Sequence, residues 1–453
     1  MIKQIVLADN PILRRKLKPV KKFDRDILTL TQDLIDTMIF ANGAGLAANQ
    51  IGVDAQVFVT GISTKPQVFI NPKLKSLGSK DSETEEGCLS LPGYRGNVRR
   101  SQEVEITFDD IKGKRRKKTV KGYLARVLQH EIDHLQGKTY IDRITDKSQI
   151  HEVTPIRIAF FGSGEFAVPV LVSLIGLNWT FDFQTVISVT QPPKPTGRKG
   201  TLTKTAVHQV AERFNLPLLT PEKLDDKFIE ELQKENIDMI ILADYGKILP
   251  AKLLEVPEYG GLCLHPSRLP KYRGATPIEH TILNGDEKTG VTLFKMNKDI
   301  DAGEIIGQYE TEIRPNETYE LLRGRLAQLA ALMVRNLLPY YTSKEIEPEL
   351  QSKEDASNAP KFNPEAGQIK PTDSQEQIIR KVHALAHEPG VYTIWKGKRI
   401  KILAAHLENG EAILDVLQPE GSKPMSWKEF HNGYPDFSLS SPLSNATSKQ
   451  KKS

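Results

Sequence analysis

Gln129-His130-Glu131-Ile132-Asp133-His134-Leu135-Gln136-Gly137 places two imidazoles four residues apart with a carboxylate directly after the first. On a helix, residues at that spacing share a face, so His130 and His134 can grip one metal ion while Glu131 points beside it. The pattern is hydrolase-like but incomplete, because a catalytic zinc-type centre uses three protein ligands and keeps one position open. A third ligand and donors for a developing oxyanion must come from elsewhere in the chain.

The chain is 453 residues long, which predicts about three domains rather than one. With 39% hydrophobic and 26% charged residues it has the composition of a globular protein that buries real cores. A net charge of +5 permits contact with nucleic acid without requiring it. Two distant cysteines, Cys88 and Cys263, do not make a disulfide framework, no signal-peptide pattern opens the chain, and no apolar run is long enough to span a membrane. These features predict a reducing, cytoplasmic setting and no membrane partner.

Working outward from the His–Glu helix, residues 26–39 predict an amphipathic helix, 56–60 and 67–71 predict strands, and 103–109 with 117–120 predict a hairpin feeding the helix over 123–136, with Gly137 as its cap. Two further signals stand out. Gly43-Ala44-Gly45-Leu46-Ala47-Ala48-Asn49-Gln50 is a small-residue loop that lets backbone approach a ligand closely, and Glu86-Gly87-Cys88-Leu89-Ser90 carries a thiol. Together with HEIDHLQG these motifs resemble peptide deformylase, across essentially residues 1–150. The resemblance implies an α+β domain in which Cys88, His130 and His134 bind the metal, typically Fe²⁺, with Zn²⁺, Ni²⁺ or Co²⁺ able to replace it. It also implies that Glu131 moves the proton, that the Gln50 amide and the Leu89 N–H stabilise the oxyanion, and that Gly45 lets the substrate backbone lie close. A thiolate with two imidazoles suits a borderline-soft divalent ion. A thermolysin-like protease, the competing reading of the helix, wants a distant Glu as its third ligand instead.

The run Lys112-Gly113-Lys114-Arg115-Arg116-Lys117-Lys118 is the densest basic cluster and reads as a solvated hairpin tip, with a ribosome contact as its functional alternative. Residues 151–155 form a linker that spans at most ~17 Å.

A second alternation then begins: strand 156–161, turn Gly162-Ser163-Gly164, helix 165–175, strand 185–190, helix 205–214 and strand 239–243, which argues for an open parallel α/β sheet. The Gly-rich turn formally fits a dinucleotide fingerprint, but Asp182 precedes the second strand where an acid should end it. Residues 156–341 resemble instead the catalytic domain of methionyl-tRNA formyltransferase, on FFGSGEFAVPVL, TQPPKPTGRKG, ADYGKILP, HPSRLPKYRGATPIEHTILNGDEKTGVTLFKM and Asp299-Ile300-Asp301-Ala302-Gly303. The likeness continues through Ala359-Pro360-Lys361-Phe362 and the stretch 418–426.

That resemblance implies a Rossmann-like formyltransferase domain taking formyl from 10-formyltetrahydrofolate to methionyl-initiator-tRNA. His265 would face the formyl carbonyl with Asp301 holding it, Ser267, Arg268, Leu269 and Pro270 would form the folate loop, and Lys194, Arg198, Lys199 and Lys204 would contact the tRNA acceptor stem. One departure matters: the family's catalytic Asn is Cys263 here, and a thiol is a weaker donor than an amide N–H.

Residues 342–362 read as a linker, 363–437 as a small OB-like β-barrel domain opened by a helix after the capping pattern Asp373-Ser374-Gln375-Glu376, and 438–453 as a disordered tail. The whole predicts a two-activity enzyme of the formyl-methionine cycle that also acts on nascent formyl-methionyl peptides. The alternatives are an active deformylase carrying a degenerate tRNA- or ribosome-docking module, and an amino-sugar formyltransferase in the second half.

Overall fold

The computed structural model describes residues 1–62, 66–77, 80–178, 182–196, 200–437 and 439. Arg198 and Lys199 of the basic loop, and almost all of the tail predicted to be disordered, lie outside the described residues. The described chain divides into two compact units, residues 1–158 with 171–186 and residues 159–170 with 187–453. No helix of the described residues is long and apolar enough to cross a membrane.

The N-terminal region contains α1 (Arg25–Phe40), β1 (Gly45–Ala47), β2 (Val57–Thr60), β3 (Gln67–Ser76), β4 (Asp81–Cys88), β5 (Leu91–Ser101), β6 (Glu103–Asp109), β7 (Arg115–Lys121), α2 (Gly122–Leu135) and β8 (Ile150–Glu152). Five strands pair in the order β1-β2-β3-β6-β7, and β4-β5-β8 form a second sheet. Strand β2 shows why the five-stranded sheet has a helix on each side. Val57 and Val59 pack in the cluster that includes Leu34 and Met38 of α1, while Phe58 packs with Ala125, Leu128 and Leu135 of α2. Alternation of side chains across the pleat makes both faces apolar, and each large buried residue contributes about 1.5–3 kcal/mol.

Helix α2 starts and ends one residue before the predicted span, and its C-cap is Gln136. Gly137 follows with φ +73°, a left-handed conformation that lets the N-terminal segment pass close by: a Cβ there would lie 2.7 Å from the carbonyl carbon of Arg14. Leu17 N–H then donates to Leu135 O at 3.0 Å. The end of α2 is thereby fastened by the first turn of the chain.

The chain continues with β9 (Ile156–Gly162), α3 (Ala167–Leu177), β10 (Phe183–Val189), β11 (Lys194–Thr196), β12 (Thr201–Thr203), α4 (Ala206–Arg213), β13 (Leu218–Leu219), α5 (Asp226–Gln233), β14 (Met239–Ala243), α6 (Ala251–Leu254), β15 (Gly261–His265), α7 (Pro277–Asn284), β16 (Lys288–Lys295), β17 (Ile305–Glu312) and α8 (Tyr319–Thr342). Seven strands run in the order β13-β10-β9-β14-β15-β16-β17. The sheet is not parallel throughout, as expected from sequence: β14 and β15 are parallel, but β15–β16 and β16–β17 are antiparallel. The edge differs because β17 follows β16 without a crossover helix, so the two must reverse direction.

The last region holds α9 (Gln375–Leu385), β18 (Val391–Trp395), β19 (Lys398–Glu408), β20 (Glu411–Pro419), β21 (Met425–Ser426) and α10 (Trp427–Gly433), with the strands paired in chain order as one small antiparallel sheet. The capping box of α9 is closed by Gln377 on Ser374 rather than by Glu376, since the partner must sit three residues past the cap.

Replacing Gly137 by Ala should destabilise the N-terminal region by about 1–3 kcal/mol, since a non-glycine residue in that conformation is strained even before it meets Arg14. Denaturant unfolding would show this as a lower midpoint; an unchanged midpoint would mean the segment shifts freely.

Candidate functional site

Cys88 ends β4 and faces α2, where His130 and His134 lie one turn apart. One ligand atom from each of the three lies within 4.8 Å of the others. Cys88 Sγ is 3.2 Å from His134 Nε2 and accepts the Ser90 N–H at 3.4 Å, which favours the thiolate. His130 turns its Nδ1 to Glu86 Oε2 at 3.0 Å, leaving Nε2 as the atom for the centre. A thiolate and two imidazoles, converging from a strand and a rigid helix, fit a divalent ion of borderline softness.

Around them lies a cavity of about 270 Å³ whose walls include Gly45, Gln50, Cys88, Leu89, His130 and Glu131. Gln50, on the short helical turn Ala48–Ile51, accepts the Ala47 N–H through its Oε1 at 2.9 Å. Its Nε2 is thereby aimed at Ser90 Oγ and Cys88 Sγ, at 3.3 and 3.6 Å. Glu131 is buried with Oε2 unpartnered among the described residues. Burial pushes its carboxyl up to about 7, against the pull of His130 and Arg100. Such a carboxylate is free to hold a proton in transit. Gly45 has a more definite role than the sequence suggested: a Cβ there would stand 2.5 Å from Glu131 Oε1, so its first constraint is room for this acid.

A charged layer behind the ligands escaped the sequence reading. Glu86 accepts from Arg100 Nε and Nη2 at 2.9 and 2.8 Å, from Arg126 Nη1 at 2.6 Å, and faces His130. Arg100 also reaches Asp133 at 2.6 Å, and Arg143 binds the same carboxylate. Burial opposes the charged Glu86, but hydrogen bonds from Arg100 and His130 outweigh it and hold the carboxyl well below its usual range. Glu86 and Asp133 sit inside quoted motifs; Arg100 and Arg126 carry no local signal, because their partners are up to 40 residues away.

The second constellation lies at the end of β15. His265 is buried, and its Nε2 is 2.8 Å from the Tyr272 carbonyl. A carbonyl only accepts, so Nε2 carries hydrogen, and Nδ1 is turned to Asp301 Oδ2 at 3.6 Å. Asp301 Oδ2 also accepts the Gly274 N–H at 2.8 Å. Cys263 is packed with Leu269 and Phe294, and burial, then the charge of Asp301, pushes its thiol well above the usual range. It is a protonated thiol, not a nucleophile.

In the loop after His265, Ser267 Oγ donates to Lys271 O at 2.7 Å, and Leu269 is buried with its carbonyl accepting from Gln308. Arg268, Leu269 and Pro270 line a cleft of about 440 Å³; Cys263, His265 and Asp301 are not among its lining residues. Lys194 lies on the β11–β12 hairpin with its amine on Gln191 Oε1 at 2.7 Å, and Lys204 pairs with Glu212 at 2.6 Å. At the hairpin tip of the N-terminal region, Arg115, Arg116 and Lys117 pair with Asp109, Asp110 and Glu105, so much of that basic run is offset locally.

Residues 2–149 match the family model for polypeptide deformylase, 156–337 that for formyl transferase, and 361–415 that for the formyl transferase C-terminal domain. A methionyl-tRNA formyltransferase of Caldicellulosiruptor saccharolyticus is 35% identical over 305 residues, covering 61% of this chain and 96% of the relative. This chain belongs to the methionyl-tRNA formyltransferase family. A second family member, from Thermotoga neapolitana, is 38% identical over 253 residues, covering 55% of this chain and 79% of the relative. The relatives' coverage leaves the deformylase domain of this formyltransferase-family chain as an addition in front. Solved peptide deformylases are similar to that domain: the Thermotoga maritima structure is 36% identical, covers 32% of this chain and 99% of its own, with a TM-score of 0.32. The Legionella pneumophila structure is 40% identical, covering 33% of this chain and 89% of its own, with the same TM-score of 0.32.

Glu86→Ala should weaken the hold on a divalent ion by about 10–100-fold, because His130 loses the partner that orients it. It should also cost about 3–5 kcal/mol of stability from the buried guanidinium groups it leaves behind. Chelator competition and denaturant unfolding separate the two; unchanged metal affinity would restrict Glu86 to a structural role.

Proposed function

We propose that this chain is a bifunctional enzyme of the formyl-methionine cycle. One half removes the formyl group from the N-terminal formyl-methionine of nascent peptides. The other transfers formyl from 10-formyltetrahydrofolate to methionyl-initiator-tRNA. The observation that carries this reading is the presence, in one chain, of two separately built constellations: Cys88, His130 and His134 beside Glu131, and His265 between Tyr272 and Asp301.

In the first, Cys88, His130 and His134 would hold the ion, Fe²⁺ by preference with Zn²⁺, Ni²⁺ or Co²⁺ as substitutes. When bound, the ion supplies Lewis-acid polarisation of the formyl carbonyl and of water. The side chains do the rest. Glu131 takes a proton and returns it to the departing amine, and its unpartnered oxygen gives that proton a place to reside. The Gln50 amide, held by Ala47, and the Leu89 N–H serve as oxyanion donors. In the second, the amine of methionyl-tRNA attacks unprotonated, with His265 and Asp301 handling charge and proton. Ser267, Arg268, Leu269 and Pro270 supply the folate loop. Lys194, Arg198, Lys199 and Lys204 lie against the RNA. Both substrates belong to translation in a reducing cytoplasm, where Cys88 stays a free thiol.

Cys263 favours a second reading, a transferase half that binds tRNA but turns over slowly or not at all, because its apolar packing supplies no strong donor where the family has an amide. The deciding measurement gives the whole chain labelled 10-formyltetrahydrofolate with charged initiator tRNA and, separately, a formyl-methionyl peptide. Transfer and formate release are both expected; release without transfer would leave only the docking module. On the bifunctional reading Cys263→Asn should raise the transfer rate, by up to the 10²–10³-fold that one oxyanion donor is worth. No gain would mean another group already fills that role. Gly45→Ala should cut peptide deformylation by about 100-fold with metal still bound, since Glu131 must move aside; a near-parent rate would show that its carboxylate relocates harmlessly.

A further inference from the structure

The segment after α8, which reads from sequence as a linker, is bonded along its length to the loops around His265. Ile305 and Glu349 exchange backbone hydrogen bonds at 2.7 and 2.8 Å. Arg273 N–H donates to Ser357 O at 2.8 Å, and Ala359 N–H to Arg273 O at 2.6 Å. Gly274, at φ +118°, makes room for this path: a Cβ there would lie 2.8 Å from Ala359 O.

Two side chains of the segment reach the residues that face the two ring nitrogens of His265. Tyr272, whose carbonyl accepts from Nε2, has φ +63°, a left-handed conformation unfavourable for a bulky residue. Its N–H is held by Ser357 Oγ at 2.9 Å. Asp301, whose carboxylate faces Nδ1, has φ +49°. Its carbonyl accepts from Gln351 Nε2 at 3.0 Å; the same amide donates to Gly303 O at 2.7 Å, while Gln351 Oε1 accepts both Arg273 Nε and Nη2 at 3.0 and 2.6 Å. Neither backbone conformation is one the residue would choose alone, so both need outside fixation.

We infer that residues 349–359 form a strap that sets the tautomer and orientation of His265, with Gln351 and Ser357 as positioning residues that touch no substrate themselves. The strap fixes the acceptor on one side of the imidazole and the carboxylate on the other. It also joins the catalytic loops to the C-terminal domain through a segment whose two ends cannot move independently of the dyad. For its kinetic arm this inference rests on the formyltransferase reading above; its spectroscopic arm does not.

The test uses the full chain with ¹⁵N-labelled histidine, the His265 signals being assigned by their loss in His265→Gln. The parent should show the Nε2–H form of His265. Gln351→Met and Ser357→Ala should each replace it with a mixture of forms, and should lower kcat for formyl transfer by about 10–100-fold with both KM values within about twofold. Ser357→Thr, which keeps the hydroxyl, should restore the parent spectrum and rate, and peptide deformylation by the same samples reports that the chain is folded. Parent-like His265 signals in both variants would overturn the strap, whatever happens to melting temperature or rate. A changed spectrum in a chain whose parent transfers no formyl group would instead sink the formyltransferase reading and leave the strap standing.

Discussion

Glu86 is one carboxylate with two oxygens, and it accepts from two guanidinium groups while facing an imidazole, all out of reach of water. A buried charge of this kind is tolerable only where every lone pair is met, because the desolvation penalty is otherwise several kcal/mol. Satisfying it draws β4, β5 and α2 together at one point, and that point is directly behind the ligand atoms of His130. Cys88 follows two residues after Glu86 on the same strand, so the constraint that places the acid also places the thiol. Asp133 extends the layer by sharing Arg100, and through Arg143 it pins the segment after α2. The metal-binding geometry is thus a by-product of an electrostatic requirement one layer deeper.

The second half solves the same problem of holding an imidazole with a different device. His265 is buried at the end of a central strand, but its partners are a main-chain carbonyl and a more distant carboxylate rather than an ion network. Backbone carbonyls cannot be aimed by choosing a side chain; they are aimed by the conformation of the chain. Two non-glycine residues in left-handed conformations do the aiming, and a third segment holds them there. Where the first site stores its precision in charge, the second stores it in backbone shape.

That difference explains what could be read in the sequence and what could not. The three ligands, Glu131 and Gln50 were legible because they fall in short runs whose spacing has a direct geometric meaning. The helices flanking β2 were legible for the same reason, from the period of their apolar residues. Arg100 and Arg126 were not, since an arginine in a strand or on a helix is ordinarily a solvated side chain, and only the folded pairing of β4 with β5 shows otherwise. Nor was the strap: residues 342–359 are polar and lack periodicity, the usual marks of a linker, because their bonds go to distant loops rather than to neighbours. The antiparallel edge of the large sheet was missed because alternation of strand and helix predicts crossovers, and β16 to β17 has none.

On the proposed reading, one half of the chain undoes what the other makes, and separation has to come from the substrates rather than from the chemistry. The first site opens as a cavity of about 270 Å³ around a buried acid, a space that admits a formyl-methionyl end but demands that the rest of the substrate trail away as an extended, narrow chain. A nascent peptide meets that demand. The 3′ end of a tRNA presents the same formyl-methionyl group on an ester followed immediately by a ribose and phosphates, which are bulkier than a peptide bond and negatively charged. The mouth of the cavity includes Glu85, with Glu86 directly behind it, so the charge nearest the entrance is adverse to phosphate even though Arg95 partly offsets it at 3.1 Å. Fusion therefore need not cause futile turnover: the product of the second site is excluded from the first by the backbone that carries it, and becomes acceptable only after the ribosome has exchanged that backbone for a peptide.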